Sequence, residues 1–327
     1  MSLPAEDAAL AGAVRQGERR ALAKAITLLE STRRDDRTRA DALLNSLLPA
    51  TGRSRRLGIS GVPGVGKSTF IEALGLHLIE RGHRVAVLAV DPSSTISGGS
   101  ILGDKTRMER LSVEPAAFIR PSPSSGTLGG VAEKTREAML VCEAAGFDIV
   151  IVETVGVGQS ETTVAGMTDL FVLLQLPNAG DDLQAIKRGV MEMADVVVVN
   201  KADLDGTAAL RACATIAGAL RAFARYGRGG HEPPVLQLSA LKGEGVAEFW
   251  STAERLIGER QASGAFEEHR RGQALSWMWD SVRAHLLADF HGHPAVRAAL
   301  PGVLEDVEAA RVAPSAAARA LLDLFEQ

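Results

Sequence analysis

The run Gly61-Val62-Pro63-Gly64-Val65-Gly66-Lys67-Ser68-Thr69 matches G-x-x-x-x-G-K-[ST] at every specified position. Arg56-Leu57-Gly58-Ile59-Ser60 before it reads as a strand, and Phe70 to Leu78 after it carry helical periodicity. Strand, glycine loop and helix start together gather backbone N–H groups at a helix N-terminus, which makes an anion site. In that frame Lys67 reaches the β- and γ-phosphates of a nucleotide, and the Ser68 hydroxyl is a Mg²⁺ ligand. A glycine turn without a ligand does not require the lysine and the hydroxyl together.

The base is indicated by Asn200-Lys201-Ala202-Asp203, an N-K-x-D motif after the apolar run Ala194-Asp195-Val196-Val197-Val198-Val199. Such a β-branched run reads as a buried parallel strand. A carboxylate at Asp203 can accept from the ring N–H and exocyclic amine of guanine, a donor pair adenine lacks. The Lys201 stem can lie over the base plane, and Asn200 can bridge to the phosphate loop. Further on, Val235-Leu236-Gln237-Leu238 leads into Ser239-Ala240-Leu241, whose backbone N–H groups can meet the guanine carbonyl.

Three acids compete for the metal and the attacking water. Glu153 ends the strand-like Phe147–Val152 and opens Glu153-Thr154-Val155-Gly156, in the place of a D-x-x-G segment. There a carboxylate can hold Mg²⁺ through a water, and the Gly156 N–H can sense the γ-phosphate. Asp91 follows the strand-like Arg84–Val90, and open α/β sheets build their sites at strand C-termini. Asp104 lies in Gly103-Asp104-Lys105-Thr106-Arg107. Mg²⁺ takes one or two carboxylates and keeps waters, so one of the three is free to position the nucleophile. The catalytic set is therefore Lys67, Asp104 and Glu153, and the metal set Ser68, Asp91, Asp104 and Glu153. Val157, not Gln, follows Gly156, and Gln159 comes later. Without a glutamine there, unassisted hydrolysis is expected to be slow, as in a switch.

The chain has 327 residues, enough for one large α/β domain with appendages. Hydrophobic residues make up 46% and aromatics only 4%, so the core is aliphatic. The net charge of −4 gives no electrostatic case for nucleic acid. No apolar run approaches a membrane span, and Glu6 and Asp7 stand where a secretory leader would be apolar. Cys142 and Cys213 fall in helical patterns and read as reduced thiols of a cytoplasmic protein.

The expected fold is α/β, a doubly wound and mostly parallel sheet flanked by helical additions. Residues 1–54 read as a helical N-terminal extension. Val14, Leu22, Ile26 and Leu29 lie on one face, Leu43, Leu44, Leu47 and Leu48 on another, with a charged turn at 33–37. Residues 1–56 hold 11 Lys/Arg against 7 Asp/Glu, a local net of +4 that reads as a solvated face. Residues 55–262 form the nucleotide domain, with strands near 55–60, 84–90, 116–120, 147–153, 169–175, 195–200 and 234–239. Residues 91–114 and 177–189 are polar departures from the βα rhythm. Residues 263–327 read as a C-terminal helical arm. There Leu275, Met278, Val282, Leu286 and Leu287 mark a long helix, Pro294 and Pro301 divide the segment after it, and a short helix comes after Pro314. So thin a segment cannot bury its own apolar residues, which points to a dimerisation arm.

The phosphate loop, Asp91-Pro92-Ser93-Ser94, Gly103-Asp104-Lys105-Thr106-Arg107-Met108 and Glu153-Thr154-Val155-Gly156-Val157-Gly158-Gln159-Ser160-Glu161 together resemble the methylmalonyl-CoA mutase-associated G proteins of MeaB/ArgK type. Pro177–Gly189 and Asn200–Asp203 also fit, and the resemblance spans nearly the whole chain. It implies a homodimeric GTPase with GTP/GDP and Mg²⁺ that binds an adenosylcobalamin-dependent methylmalonyl-CoA mutase, gates delivery of that cofactor and protects the enzyme. It also implies that residues 177–189 are a third switch loop, with Asp182, Gln184 and Lys187 as coupling residues.

Other classes fit less well. A nickel-insertion GTPase would need a metal relay, and the chain has no Cys-x-x-Cys or His-rich tract. A phosphotransferase of kinase type would carry a His-Arg-Asp loop with its Asp and Asn, which is missing. A protein-targeting GTPase would carry a methionine-rich domain, and the 7 Met do not cluster.

Overall fold

The computed structural model describes residues 3–31, 33–90, 108–121, 128–154, 160–177, 188–226 and 232–326. The chain divides into two compact units, Met1–Gln273 and Ala274–Gln327.

The first unit is built on a seven-stranded sheet. Its strands are β1 (Arg55–Gly61), β2 (Val85–Val90), β3 (Ala117–Arg120), β4 (Ile149–Thr154), β5 (Leu170–Gln175), β6 (Val196–Val199) and β7 (Val235–Gln237). Every pairing is parallel, in the order β3-β2-β4-β1-β5-β6-β7. All residues of β2, β4, β5 and β6 are buried. Burial on both faces is why they read as unbroken apolar runs rather than as alternating ones.

The helices among the described residues begin with α1 (Ala5–Arg15), α2 (Arg19–Glu30), α3 (Arg34–Leu47), α4 (Lys67–Glu80) and α5 (Glu109–Val113). They continue with α6 (Leu128–Ala144), α7 (Ser160–Ala165), α8 (Arg188–Met193), α9 (Gly206–Tyr226) and α10 (Val246–Ser263). The last are α11 (Ala265–Gly292), α12 (Pro294–Glu308) and α13 (Pro314–Phe325). Helices α4 and α10 meet on one face of the sheet, where Phe70 and Phe249 pack edge to face with centroids 5.0 Å apart. Helices α1–α3 pack with α6.

The N-terminal apolar residues are buried as their spacing predicts, except for Leu44, which is half-buried, and Leu48. Val14 belongs to α1 and Leu22, Ile26 and Leu29 to α2, because the chain turns at Gly17. Leu48 is 45% exposed, in a 3₁₀ turn (Leu48–Ala50) beyond the end of α3, so it leaves the face shared by Leu43 and Leu47. The charged stretch 33–37 is the start of α3 rather than a turn, with Asp35 and Asp36 in the first helical turn where the dipole favours acids. The fully buried Asp7 of α1 accepts from Arg39 of α3 at both carboxylate oxygens, at 2.7 and 3.1 Å. That hydrogen-bonded pairing, against the opposing effect of burial, holds the Asp7 carboxyl below its ordinary value. Cys142 and Cys213 are unlinked thiols in α6 and α9.

A polar cluster lies at the start of β1. Glu143 of α6 accepts from Arg56 Nε at 2.6 Å, from Gly52 N at 2.7 Å and from the Ser54 hydroxyl. Asp169, just before β5, accepts from Arg56 N at 2.7 Å. Its two oxygens also receive Arg270 Nε and a terminal Arg270 nitrogen at 2.8 and 2.7 Å. The Arg270 guanidinium further donates to the carbonyls of Gly52 and Ser54 and lies over the Phe266 ring.

Within the second unit, Phe290 and His293 meet Phe325 edge to face at 5.5 and 5.6 Å. Pro301 does not divide the segment. It sits inside α12, which continues through it at the loss of one backbone donor.

Candidate functional site

Because every strand runs the same way, the segments that leave them gather along one edge of the sheet. The loop 61–66 leaves β1, Asp91 follows β2, Val155 follows β4, Asn200 follows β6 and Leu238 follows β7. Open α/β sheets place ligands at this carboxyl edge.

The loop from Gly61 turns back through a Val65 N–H to Val62 carbonyl bond of 3.2 Å, and Val65 is fully buried. Gly66 has φ +94° and caps α4. A Cβ there would stand 2.7 Å from Asn200 Nδ2, so glycine is required for both the backbone turn and the approach of Asn200. Lys67 opens the helix and its Nζ donates to the Gly61 carbonyl at 2.8 Å, across the mouth of the loop. Ser68 comes next; its Oγ donates toward Glu153 Oε1 at 3.4 Å. Glu153 is 5% exposed on β4, with Ile59 of β1 and Ala89 of β2 as its register partners. A hydroxyl beside a buried carboxylate is a hard-oxygen pair suited to Mg²⁺ completed by water and phosphate. Beneath them Thr154 donates to Ser60 Oγ at 3.0 Å, tying the ends of β4 and β1.

Asn200 joins three segments. Its Nδ2 donates to the Val65 carbonyl at 2.8 Å, and its Oδ1 accepts from Ala240 N at 3.0 Å. It is 1% exposed, so the amide is spent on these contacts. Lys201 follows at φ +62°, a left-handed conformation that costs a residue with a side chain about 1 kcal/mol. Two bonds hold it there: Ala202 N to the Leu238 carbonyl at 3.1 Å and Leu204 N to the Lys201 carbonyl at 3.2 Å. Asp203 Oδ1 accepts from the Ser239 hydroxyl at 2.6 Å, and Ser239 Oγ accepts from Lys242 N at 3.3 Å. The Ser239 bond, more than any other influence, holds the Asp203 carboxyl below its ordinary value. Ser239 N–H is taken by the Glu244 carbonyl and Ala240 N–H by Asn200. Leu241 carries its side chain 79% exposed beside them.

The structure thus brings residues 61–69, Glu153, Asn200, Lys201, Asp203 and Ser239–Leu241 to one edge. Asp91, Asp104, Gly156, Asp182, Gln184 and Lys187 lie outside the described residues. Sequence reasoning missed the Ser60–Thr154 bond and the carboxylate of Glu72, which accepts from the first turn of α5. Neither belongs to a motif, and pairing between distant polar residues has no period to detect. No helix among the described residues is long and apolar enough to cross a membrane.

Comparison with known proteins agrees with this geometry. A probable GTPase of Mycobacterium tuberculosis is 55% identical over 317 residues, covering 96% of this chain and 94% of that protein. The GTPase ArgK of Escherichia coli is 48% identical over 84% of this chain and 85% of its own length. The mitochondrial methylmalonic aciduria type A homolog of Mus musculus is 46% identical over 95% of this chain and 77% of its own length. Among solved structures, one described as LAO/AO transport system kinase superposes with a TM-score of 0.78 at 36% identity, with full coverage of both chains. Residues 22–295 match the profile of the family described as Methylmalonyl Co-A mutase-associated GTPase MeaB, so the chain belongs to that family and is a GTPase.

Proposed function

We propose that this GTPase is a G-protein chaperone of an adenosylcobalamin-dependent methylmalonyl-CoA mutase, gating delivery of the cofactor and protecting the enzyme. The observation that carries the nucleotide half is the Asn200 amide, which links the phosphate loop at Val65 to the Ser239–Leu241 loop at Ala240. A base held by Asp203 and the loop 239–241 is thereby fixed in register with phosphates held by 61–69. The mutase half is supported by family membership and by the name of the mouse relative.

In this reading the loop N–H groups and Lys67 hold the β- and γ-phosphates, and Lys67 exchanges the Gly61 carbonyl for phosphate oxygen. Ser68, with Glu153, Asp91 and Asp104 as the candidate acids, holds Mg²⁺; the ion would supply charge neutralisation at the transferring phosphoryl group. One of those acids instead orients water, and the Gly156 N–H reads the γ-phosphate. Asp203 accepts from the guanine donor edge and the Lys201 stem covers the base; of the 239–241 loop it is the Leu241 N–H that is left to meet the guanine carbonyl, since those of Ser239 and Ala240 are taken within the protein. Asp182, Gln184 and Lys187 carry the nucleotide state to the mutase.

We divide the chain into an N-terminal extension (1–54), a GTPase domain (55–262) and a dimerisation arm (263–327) of a cytoplasmic homodimer. The arm reading is supported by Leu275, Met278, Trp279, Val282 and Leu286, spaced along one face of α11 and each between 39% and 60% exposed. The test of the whole is co-purification with the native mutase, followed by GTP turnover of the isolated chain with and without it. A stable complex and accelerated turnover are expected. A chain that neither binds the mutase nor responds to it would overturn the proposal.

A further inference from the structure

Strands β1 and β4 are neighbours, yet the chain leaves them in opposite directions. From β1 it crosses to β2, beyond β4; from β4 it crosses to β5, beyond β1. Open α/β sheets form their ligand crevice where neighbouring strands lead away to opposite sides. The strand register shows where that crevice begins. Between β1 and β4 it runs from Arg55 opposite Ile149 to Ile59 opposite Glu153 and ends there. Beyond that point Ser60 and Gly61 stay with Leu173 and Leu174 of β5, and Thr154 stays with Val90 of β2. One step past the last register pair, side chains join the two strands: Thr154 Oγ1 donates to Ser60 Oγ at 3.0 Å.

Successive side chains of a strand point to opposite faces of the sheet. Glu153 is on the α4 face, where it meets Ser68. Thr154 and Ser60 are therefore on the other face. Gly58, two residues before Ser60, shares that face, and a Cβ there would stand 2.6 Å from Thr168 Oγ1 and 2.8 Å from Val164 of α7. That face is closely covered, and both hydroxyl residues are buried. Two apolar side chains of the same shape would close the sheet there at little cost. A hydroxyl pair adds a bond of fixed length and direction, placed where the backbone register between the two strands has ended. The residue before Thr154 is the buried carboxylate of the site, and the residue after Ser60 opens the phosphate loop.

We infer that Thr154 and Ser60 are positioning residues for GTP hydrolysis: their bond sets the opening between β4 and β1 and so holds Glu153 beside Ser68. The inference rests on the reading of Glu153 as a Mg²⁺ ligand, and the test separates the two. GTP turnover is measured against Mg²⁺ concentration for the full-length parent, Thr154→Val, Ser60→Ala, the double variant, Thr154→Ser and Glu153→Gln. GDP affinity in EDTA and Tm are measured beside it. Each single apolar variant strands one buried hydroxyl and should lower Tm; the double variant removes both and should regain part of the loss. The Mg²⁺ needed for half-maximal turnover should rise about tenfold in both singles, the scale of losing a group that orients a metal ligand, and stay raised in the double variant. Thr154→Ser keeps the hydroxyl and should keep the parent's requirement. GDP affinity without metal should stay at the parent's value throughout. A Mg²⁺ requirement that returns to the parent's value with Tm in the double variant would make the pair structural only and overturns the role. So does a requirement raised as far by Thr154→Ser as by Thr154→Val, or a loss of GDP affinity in EDTA that matches the loss of turnover. Should the singles not fold, the double variant and Thr154→Ser carry the same test. A raised requirement in Glu153→Gln beside parental hydroxyl variants overturns the positioning role alone. A parental requirement in Glu153→Gln overturns the reading of Glu153 and the inference with it.

Discussion

The Ser239 hydroxyl donates to Asp203 Oδ1 at 2.6 Å, so the acid of the N-K-x-D motif is oriented by the loop after the next strand. The bond fixes the carboxylate plane and keeps it ionised, as an acceptor for two guanine donors must be. Asp203→Asn should weaken GTP binding and favour xanthosine triphosphate, whose ring carbonyl replaces the exocyclic amine. Ser239→Ala should weaken GTP without creating the xanthosine preference. Competition binding with both nucleotides checks the pair, and unchanged GTP affinity in Asp203→Asn would remove the residue from base recognition.

Lys67 and Ser68 test the phosphate end. Lys67→Ala removes the cation that spans the loop, and Ser68→Ala removes the hydroxyl paired with Glu153. Both should abolish GTP hydrolysis while circular dichroism and Tm stay near the parent's values. The parent itself should turn over well below the ~1 s⁻¹ that marks the slow end of ordinary enzymes, because no glutamine follows Gly156. A phosphate-release assay on the isolated chain measures this, and fast turnover contradicts the switch reading.

The cluster at the start of β1 makes a stability prediction with a definite sign. Burial pushes the Glu143 carboxyl up, but Arg56, Ser54 and the Gly52 N–H together hold it below its ordinary value of 4.5. A carboxyl whose folded value is depressed stabilises the fold fully above the unfolded value and loses that contribution as pH falls through the folded one. Tm should therefore drop as pH falls below the ordinary carboxyl value of 4.5, and Glu143→Gln should flatten that acid part of the curve. At neutral pH Glu143→Gln should cost about 3 kcal/mol, because it removes the buried carboxylate charge that Arg56 Nε, Ser54 and the Gly52 N–H all bond. Thermal melts across the pH series decide it; a parental acid slope in the variant would mean that other groups carry the transition.

The fold was legible in the apolar runs. Val85–Val90, Ile149–Thr154 and Val196–Val199 have no polar alternation to confuse, and buried parallel strands announce themselves in this way. The phosphate loop and N-K-x-D were legible because backbone geometry restricts residue choice there, as at Gly66 against Asn200. Asp169 with Arg270, and Glu72 with the first turn of α5, were not legible: each side chain reads locally as a solvated charge, and only the folded chain brings its partner near. Pro301 misled because the rule that proline ends a helix concerns one hydrogen bond, which α12 forgoes.

The arm can be tested with a cut that the structure locates. Removing everything from residue 264 would take away Arg270 and with it both guanidinium bonds to the buried Asp169. Ending the chain at Gln273 keeps that pair and removes the unit Ala274–Gln327 together with the apolar face of α11. The shortened chain should be a folded monomer that binds GTP with the parent's affinity. Light scattering that still shows a dimer would place the interface elsewhere, and loss of folding would mean that the removed unit completes the core.

Coupling to the mutase is tested on residues 177–189. Leu170–Gln175 is a fully buried strand between β1 and β6, so the chain after it leaves from the same sheet edge as the phosphate loop and Asn200. A segment acts as a switch only when the partner binds its two arrangements with different affinity. The polar, glycine-bearing sequence there, with Asp182, Gln184 and Lys187, supplies charge for such a difference. Mutase is expected to accelerate GTP hydrolysis by the parent. Asp182→Ala, Gln184→Ala and Lys187→Ala should each reduce that acceleration while leaving intrinsic turnover and GTP affinity nearly intact, because none of them is required to hold base or phosphate. Single-turnover hydrolysis with and without mutase separates the two effects. If all three variants respond to the mutase as the parent does, these side chains carry no signal. The coupling would then run through residues 91–114, whose end is tied to the phosphate-loop helix at Glu72.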